Sequence, residues 1–189
     1  MPLLVVNGQP AVAVETQSAA GTAGVVRMNE REFHVFYSRT ARPLKAYLMS
    51  ASGGDFALAD DLLQESYFRF LRARFEATDE NHRKNYLFRI ATNLLRDHYR
   101  RRRPEVPDLP EIADRSDRGD RAHLRSDLSR ALRTLKPRDR KMLWLAHVEG
   151  FSHRESGEVL GLKTDSVRPM LFRARQRLAE VLRAGGFGT

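Results

Sequence analysis

The sequence predicts an all-α fold of two small helical domains joined by a flexible linker, the second of which contains a helix-turn-helix. Three observations predict it. Apolar residues recur at helical spacing from Asn29 onward. A stretch rich in proline and acidic residues, over 104–125, interrupts this periodicity. Near the C-terminus a short capped segment, a glycine and a longer basic segment follow one another, which is the order of a helix-turn-helix.

Residues 1–28 differ in composition from the rest of the chain. An Asn-Gly pair between two apolar runs indicates a hairpin, but a hairpin on its own is marginally stable in water. The following "TQSAAGTAG" has the composition of a flexible segment. We therefore expect residues 1–28 to form a disordered arm.

The first domain is predicted over residues 29–103. Asn29 and Glu32 have the spacing of a capped helix start, and Pro43 is expected to break or kink the helix that follows. A "SGGD" turn at 52–55 leads to a second helix over about 57–75, and a third runs over about 84–102. The residues predicted to face the core of these helices are Phe33, Phe36, Tyr37, Leu44, Tyr47, Leu48, Leu62, Leu63, Tyr67, Phe70, Leu71, Leu87, Ile90, Ala91, Leu94 and His98.

The linker is predicted over residues 104–125. Its first seven residues hold three prolines, which favour an extended and semi-rigid chain. Acidic residues fall at every third position of the segment, in a chain that is otherwise basic. These acidic residues are Glu105, Asp108, Glu111, Asp114, Asp117 and Asp120.

The second domain is predicted over residues 126–184. Pro137 suits the first position of a helix, and Ser152 with Glu155 forms a capping box that opens a short helix. Gly161 is placed to end that helix as a turn residue. The last helix is expected over about 164–182, and its basic N-terminal part would enter a DNA major groove.

Composition limits the classes of function. The chain carries 33 Lys and Arg against 24 Asp and Glu, a formal net charge of +9, which favours a polyanionic partner. It has no cysteine, which excludes thiolate metal sites and suits a reducing cytoplasm. No apolar run approaches the roughly 20 residues that span a bilayer, so no membrane insertion is expected. The scattered histidines form no catalytic or metal-binding motif, and we expect no enzyme activity and no cofactor.

Three surfaces carry chemistry. Aromatic rings and arginines alternate along the third helix, a combination that suits single-stranded nucleic acid, although a solvated face would show it too. On the second helix, acidic side chains would repel DNA, so a basic protein is their natural partner; such a face is also often merely solvated. The last helix offers arginines that can contact phosphates or guanine edges, and here too the alternative is a solvated basic helix.

Taken in order, three segments resemble an extracytoplasmic-function (ECF) sigma factor of the sigma-70 superfamily, over about residues 30–183. They are "FYSRTARPLKAYLMSASGGDFALADDLLQESYFRFLRARF", "YLFRIATNLLRDHYRRRR" and "LKPRDRKMLWLAHVEGFSHRESGEVLGLKTDSVRPMLFRARQRL". The resemblance implies a factor that binds core RNA polymerase, recognises promoter DNA both as duplex and as melted non-template strand, and starts transcription in the cytoplasm. An anti-sigma factor is a further partner that it implies.

The resemblance also implies roles for matched positions, and together with the residue pattern it gives a set of expected contacts. Core polymerase would contact Asp60, Asp61, Leu62, Gln64 and Glu65. The minus-ten element would contact Asn81, Arg83, Lys84, Asn85, Tyr86, Phe88, Arg89, Asn93, Arg96 and Arg100, with a flipped base near residues 74–84. The minus-thirty-five element would contact Thr164, Asp165, Ser166, Arg168, Phe172, Arg173, Arg175 and Arg177.

Some positions depart from the family pattern. Ser156 and Gly157 stand where a large aliphatic residue and alanine are usual, which predicts a weaker helix there. Thr92 stands where arginine is common, which removes an expected phosphate contact. Pro169 lies early in the last helix, where it would delete a backbone hydrogen bond.

Two other functions are compatible with parts of the sequence. A free-standing helix-turn-helix regulator would explain the C-terminal half, but it would leave the acidic face and the aromatic, arginine-rich helix unused. A nucleic-acid-processing enzyme would explain the charge, but no metal-binding or nucleophilic motif accompanies it.

Overall fold

The structure is a computed structural model that describes residues 28–73, 75, 77, 79–101 and 128–185. The described residues form seven helices and no strand, which confirms the all-α prediction. Three belong to the first domain and four to the second. They are α1 (Glu30–Ala51), α2 (Phe56–Arg72), α3 (Glu80–Arg101), α4 (128–134), α5 (Pro137–His147), α6 (His153–Leu160) and α7 (Thr164–Ala184).

The helix ends that we predicted from capping residues are confirmed. The Asn29 side chain accepts from the Glu32 amide, and the Glu32 carboxylate accepts in return from the Asn29 amide. Ser152 and Glu155 form the same reciprocal pair at the start of α6. Gly161 ends that helix at φ 67°, a left-handed conformation that favours glycine.

Pro43 was predicted to break or kink α1, and the structure excludes the break. The helix runs through it from Glu30 to Ala51. Proline cannot donate to the carbonyl one turn earlier, at Arg39. Beyond the proline, Leu44, Tyr47 and Leu48 are completely buried. Their packing holds the second half of the helix in place despite the missing bond.

The first domain is built on aromatic and aliphatic side chains of α1, α2 and α3. The rings of Phe36 and Phe70 stack with their centroids 5.1 Å apart, and Leu87 is fully buried beside them in the same cluster. Two residues that we predicted to face the core, Tyr37 and Leu71, are 42% and 40% exposed instead. Both lie at the edges of their apolar stripes.

The second domain brings α6 close against α7. A Cβ on Gly157 would lie 3.0 Å from the Leu162 carbonyl oxygen and 3.4 Å from Val167 Cγ2. The glycine therefore permits this close approach, which offsets the lower helix propensity that we expected to weaken α6. Ser156 is fully buried, and its hydroxyl has no hydrogen-bond partner within the described residues.

The two domains are packed against each other through α3 with α6 and α1 with α5. The apolar core of the first domain continues into the second, where Leu145, Phe151 and Val159 join its cluster. Arg140 of α5 is 2% exposed and donates to the Ser50 carbonyl of α1 over 3.0 Å. Burial lowers the pKa of this guanidinium.

Some predictions fall outside the described residues. These are the disordered arm, of which only Met28 is described, and the linker over 104–125. The domain limits therefore stay predictions. None of the helices in the described ranges has the length and apolar character required to cross a membrane.

Thr92, which stands where arginine is common in the family pattern, makes a contact in the core of the first domain. Its hydroxyl lies 2.7 Å from the hydroxyl of Tyr47, which is completely buried. That burial raises the pKa of Tyr47, against the smaller opposing effect of the hydrogen bond to Thr92.

Replacing Thr92 with valine is expected to lower the free energy of unfolding by about 1 to 2 kcal/mol, because the Tyr47 hydroxyl loses its partner in an apolar core. Chemical denaturation measures this. Adding Tyr47→Phe to Thr92→Val removes the orphaned hydroxyl and should recover part of the loss. If the double variant loses as much free energy of unfolding as the two single variants lose together, this account is contradicted.

Candidate protein and nucleic-acid interfaces

The acidic face of α2 consists of Asp60, Asp61, Gln64 and Glu65. Asp61 and Gln64 are exposed. Asp60 pairs with Lys45 of α1 at 2.7 Å, and Glu65 pairs with Arg69 of its own helix at 2.6 Å. Asp61 has no ion pair within the described residues, so it is the carboxylate of this face most available to a partner.

Leu62 is 7% exposed and belongs to the core of the first domain. We expected it among the polymerase contacts, and its burial corrects that expectation. One helical turn beyond the acidic face, Phe68 and Leu71 are 53% and 40% exposed. These apolar side chains extend the exposed surface of α2. Neither was predicted from the sequence, because Leu71 was assigned to the core and no pattern singled out Phe68.

The α3 stripe consists of Tyr86, Arg89, Asn93, Arg96 and Arg100, which follow one another at helical spacings of three and four residues. The Arg89 guanidinium lies 5.0 Å from the centre of the Tyr86 ring. Asn93 accepts from Arg96 at 2.9 Å. The structure thus brings half of the residues predicted for the minus-ten element onto one continuous face.

Phe75, in the connection between α2 and α3, stacks on Tyr86. Their ring centroids are 3.9 Å apart and their planes differ by 5°. Because Phe75 fills one face of Tyr86, Arg89 must lie over the other. Sequence reasoning placed a nucleotide base near this connection but did not single out Phe75, since the segment has no periodicity to indicate which side chains turn inward.

Lys84, Asn85 and Phe88 lie on another face of α3, the one that meets the second domain. Phe88 is completely buried and Asn85 is 4% exposed, which corrects the expectation of an exposed ring and amide. Of the remaining residues predicted for this element, Asn81 is exposed and Arg83 is half-buried.

The exposed face of α7 holds Arg168, Pro169, Phe172 and Arg173. Phe172 is 57% exposed, and the four side chains line a shallow open groove. Thr164 and Asp165 are exposed at the N-terminus of the helix, and Ser166 is half-buried. Pro169 stays inside the helix, which begins before it at Thr164.

Arg175 and Arg177, which we predicted to contact DNA, are exposed, but each also has a partner within its own domain. Arg177 donates to the Asp139 carboxylate of α5 at 2.5 Å, where the Asp139 side chain is 7% exposed. Arg175 donates to His147 Nε2 at 3.0 Å. Desolvation lowers the pKa of His147, and the charge of Arg175 lowers it further.

No set of three His, Asp or Glu side chains in the described ranges converges as a metal site. The cavity of about 720 Å³ beside Asn29 and Tyr37 is an open depression in the surface, and so is the groove on α7. Such open surfaces suit macromolecules better than small molecules, which bind in enclosed pockets.

Comparison with known proteins gives consistent matches. Residues 36–105 match the family described as Sigma-70 region 2, and residues 125–178 match Sigma-70, region 4. The ECF RNA polymerase sigma factor SigE of Mycolicibacterium smegmatis is 36% identical over 146 residues, which cover 72% of this chain and only 55% of SigE. The ECF RNA polymerase sigma factor EcfG of Rhodopseudomonas palustris is 33% identical over 147 residues, covering 76% of this chain and 81% of EcfG.

Solved structures share the fold. The sigma factor RpoE of Bartonella quintana, in complex with the anti-sigma factor NepR, gives a TM-score of 0.65 at 22% identity, over 81% of this chain and 98% of RpoE. CnrH, in complex with the cytosolic domain of CnrY, gives 0.61 at 26% identity, over 82% of this chain and 90% of CnrH.

Proposed function

Because this chain belongs to the ECF family of RNA polymerase sigma factors, we propose that it binds core RNA polymerase, directs it to a two-part promoter and helps to melt the DNA. It would act in the cytoplasm, where the polymerase works, and would itself catalyse no covalent change. An anti-sigma partner, which the resemblance implies, stays a prediction.

The observation that carries this proposal is the separation of charge on one chain. The acidic face of α2 presents Asp61 and Gln64 to solvent, whereas the α3 stripe and the exposed face of α7 present arginines. DNA would be repelled from the first surface and attracted to the other two. A factor that must hold a protein and DNA at once needs this arrangement, and a simple DNA-binding regulator does not.

On α2, we propose that Asp61 and Gln64 supply polar contacts to a basic surface of the polymerase. Phe68 and Leu71 would add apolar contact area beside them, since exposed apolar side chains next to polar ones are typical of protein interfaces. Asp60 and Glu65, already paired with Lys45 and Arg69, would contribute less.

On the DNA side, we propose that the α3 stripe holds the melted non-template strand of the minus-ten element. Tyr86 offers a ring for base stacking, and the arginines of the stripe follow the phosphates. On α7, Arg168 and Arg173 would contact phosphates or guanine edges of the minus-thirty-five duplex, while Phe172 gives an apolar contact between them.

In vitro transcription with purified core enzyme and a library of promoters tests the whole proposal. We expect defined start sites that appear only when this chain is added. A chain that instead bound one duplex site tightly without core enzyme, and produced no transcripts with it, would be a free-standing regulator.

Replacing Asp61 with lysine is expected to weaken binding to core polymerase at least about tenfold, near 1.4 kcal/mol, because a cation then faces a basic partner. Titration of fluorescently labelled chain with core enzyme measures the affinity. Glu180→Lys, the same charge reversal at an exposed position of α7, is the control. Equal affinities for the two variants would remove Asp61 from the interface.

A further inference from the structure

Three aromatic rings of α1 and α2 form a partly exposed surface on one side of the first domain. The Tyr37 and Tyr67 rings have centroids 4.8 Å apart, and the Phe33 ring lies 6.0 Å from the first and 6.1 Å from the second. Tyr37 is 42% exposed and Phe33 is half-buried. We call these three residues the aromatic shelf.

The inner ring of the aromatic shelf is fixed by the core behind it. The Tyr67 hydroxyl lies 2.7 Å from that of Thr40, which donates to the Phe36 carbonyl of its own helix. Burial raises the pKa of Tyr67 to about 12, against the smaller lowering effect of the hydrogen bond to Thr40. The two outer rings therefore rest on a rigid base, and a partner that packs on them loses little free energy in ordering them.

The surface around the aromatic shelf carries little net charge. Phe33 and Tyr37 line the open depression of about 720 Å³, whose charged lining residues Glu30 and Arg31 have opposite signs. The α3 stripe, by contrast, carries three arginines. A polyanion thus has little to attract it to the aromatic shelf. Exposed apolar surface marks an interaction site, and an uncharged apolar segment fits this one best.

The chain contains such a segment shortly before α1. Residues 3–14, "LLVVNGQPAVAV", include no charged side chain. The described part of the chain begins at Met28, which packs against the core of the first domain. The next residue, Asn29, lines the depression. The residues that precede Met28 are therefore tethered at the edge of the surface that they would cover.

The tether is long enough for this segment to reach the aromatic shelf. Residues 15–27 can span up to about 43 Å at about 3.3 Å per residue. The distance from Asn29 to Tyr37 along the axis of α1 is only about 12 Å. A short tether gives the segment an effective concentration in the millimolar range. This is far above the concentration of a second copy of the chain in dilute solution.

From these observations we propose that residues 3–14 fold back onto their own chain and pack on the aromatic shelf. The Asn-Gly pair in this segment indicates a hairpin, which is only marginally stable in water when it has no surface to pack against. The aromatic shelf provides that surface, and the segment removes the exposed parts of Phe33 and Tyr37 from water. This docking belongs to the free chain and requires neither polymerase nor DNA.

Paramagnetic broadening of amide signals in the full-length free chain tests the docking. The chain has no cysteine, so Gln9→Cys gives a unique site for a nitroxide label and removes no apolar side chain from the segment. We expect the label to broaden the backbone amide signals of Phe33, His34 and Tyr37. The signals around Phe172, which is 57% exposed in the second domain, should stay sharp.

Serine substitutions separate docking from the mere proximity of a tethered segment. Leu3→Ser, Leu4→Ser, Val5→Ser and Val6→Ser, made together in the labelled chain, keep the tether and remove much of the apolar contact. The broadening at Tyr37 should then fall at least about threefold, in proportion to the docked fraction. Equal broadening with the native and the serine-substituted segment would mean that the segment does not dock, and the proposal would be wrong.

A second pair of variants tests the aromatic shelf itself. Tyr37→Ala should reduce the broadening at Phe33 and His34, whereas Tyr37→Phe keeps the ring and should behave like the wild type. Phe56→Ala is the matched control, since Phe56 is 59% exposed beside Lys45 in the second half of α1. The amide signals of α3 show whether each variant is folded. An equal loss of broadening in the two alanine variants would contradict docking on the aromatic shelf.

Two further outcomes would assign the segment or the surface differently. Broadening centred on Phe68 and Leu71 of α2, which are also exposed, would place the segment elsewhere and overturn the proposal. An isotope-labelled chain without nitroxide, mixed with an unlabelled chain that carries it, reports contacts between copies. Broadening of Tyr37 in that mixture would make a second copy the occupant of the aromatic shelf, whereas sharp signals are expected for docking within one chain.

Discussion

Replacing Arg177 with alanine is expected to lower the free energy of unfolding of the second domain by about 2 to 3 kcal/mol, and so to act first on stability. The Asp139 carboxylate, 7% exposed, would lose the guanidinium that lies against it. Removing one partner of a buried ion pair leaves an uncompensated charge, which typically costs 3 to 5 kcal/mol. The expected value is about 1 to 2 kcal/mol lower, because Arg177 itself is 46% exposed and solvent screens the pair.

The two members of the ion pair differ in burial, so Asp139→Ala serves as the control for Arg177→Ala. Asp139→Ala leaves Arg177 at a position where water can solvate it, so it should cost clearly less than Arg177→Ala. The double variant, with no buried charge left, should be more stable than Arg177→Ala alone. Chemical denaturation of the full chain measures the stability of all three variants. Equal losses of stability in the two single variants would contradict the view that the cost comes from leaving the buried carboxylate unpaired.

Arg173→Ala is a second matched variant, for which we expect an effect on DNA binding and none on stability. Arg173 lies one turn before Arg177 on α7 and is exposed. Among the described residues, its guanidinium donates only to the Pro169 carbonyl of its own helix, at 3.2 Å. Arg173→Ala should leave stability unchanged and cost about 1 to 3 kcal/mol of duplex binding if it contacts a base. A uniform loss across promoter sequences would indicate a phosphate contact instead. A loss of stability comparable with that of Arg177→Ala would place Arg173 in the same structural role.

Periodicity and capping predicted most of the helices, because those signals are local. Asn29 with Glu32 and Ser152 with Glu155 carry their own partners within four residues of sequence, so no tertiary information is needed to place them. Pro43 shows the limit of the same reasoning. A local rule predicted a break or a kink, and the helix is not broken, because the packing of the residues after the proline maintains it.

The burial of side chains at the contact between the two domains was the hardest feature to predict. We assigned α3 a single core stripe, and its other apolar side chains were therefore expected to be exposed. Phe88 is instead completely buried, with the ring of Tyr47 of α1 5.4 Å away and that of Phe151 of the second domain 5.2 Å away. Both partners are distant in sequence, and a helical wheel contains no information about them.

The arginines of α7 illustrate the same limit within one domain. Arg173, Arg175 and Arg177 look equivalent in sequence as basic residues on a basic helix. Whether each faces outward depends on the register of α7 against α5, which sets Asp139 and His147 opposite two of them. Single-sequence reasoning gives the helix but not this register.

Replacing Tyr86 with alanine is expected to reduce promoter melting by about 1 to 3 kcal/mol, roughly five- to 150-fold, through the loss of one stacked base. Phe75 covers one face of the ring at 3.9 Å and fixes its orientation. Over the other face lies the exposed Arg89, whose guanidinium can move to a phosphate and leave that face to a base. A preoriented ring loses little conformational entropy when a base stacks on it.

The phenylalanine variant separates stacking from the rest of the side chain. Tyr86→Phe keeps the ring and should melt promoters like the wild type, whereas Tyr86→Leu keeps apolar bulk without a π face and should be as defective as alanine. Fluorescence of 2-aminopurine placed in the minus-ten element reports opening by the complex with core enzyme. Because Tyr86 also packs near Phe70, thermal unfolding of each variant shows whether the fold is retained. Full opening by a folded Tyr86→Leu variant would mean that the α3 stripe holds the strand by its charges and that the ring serves only the packing of the domain.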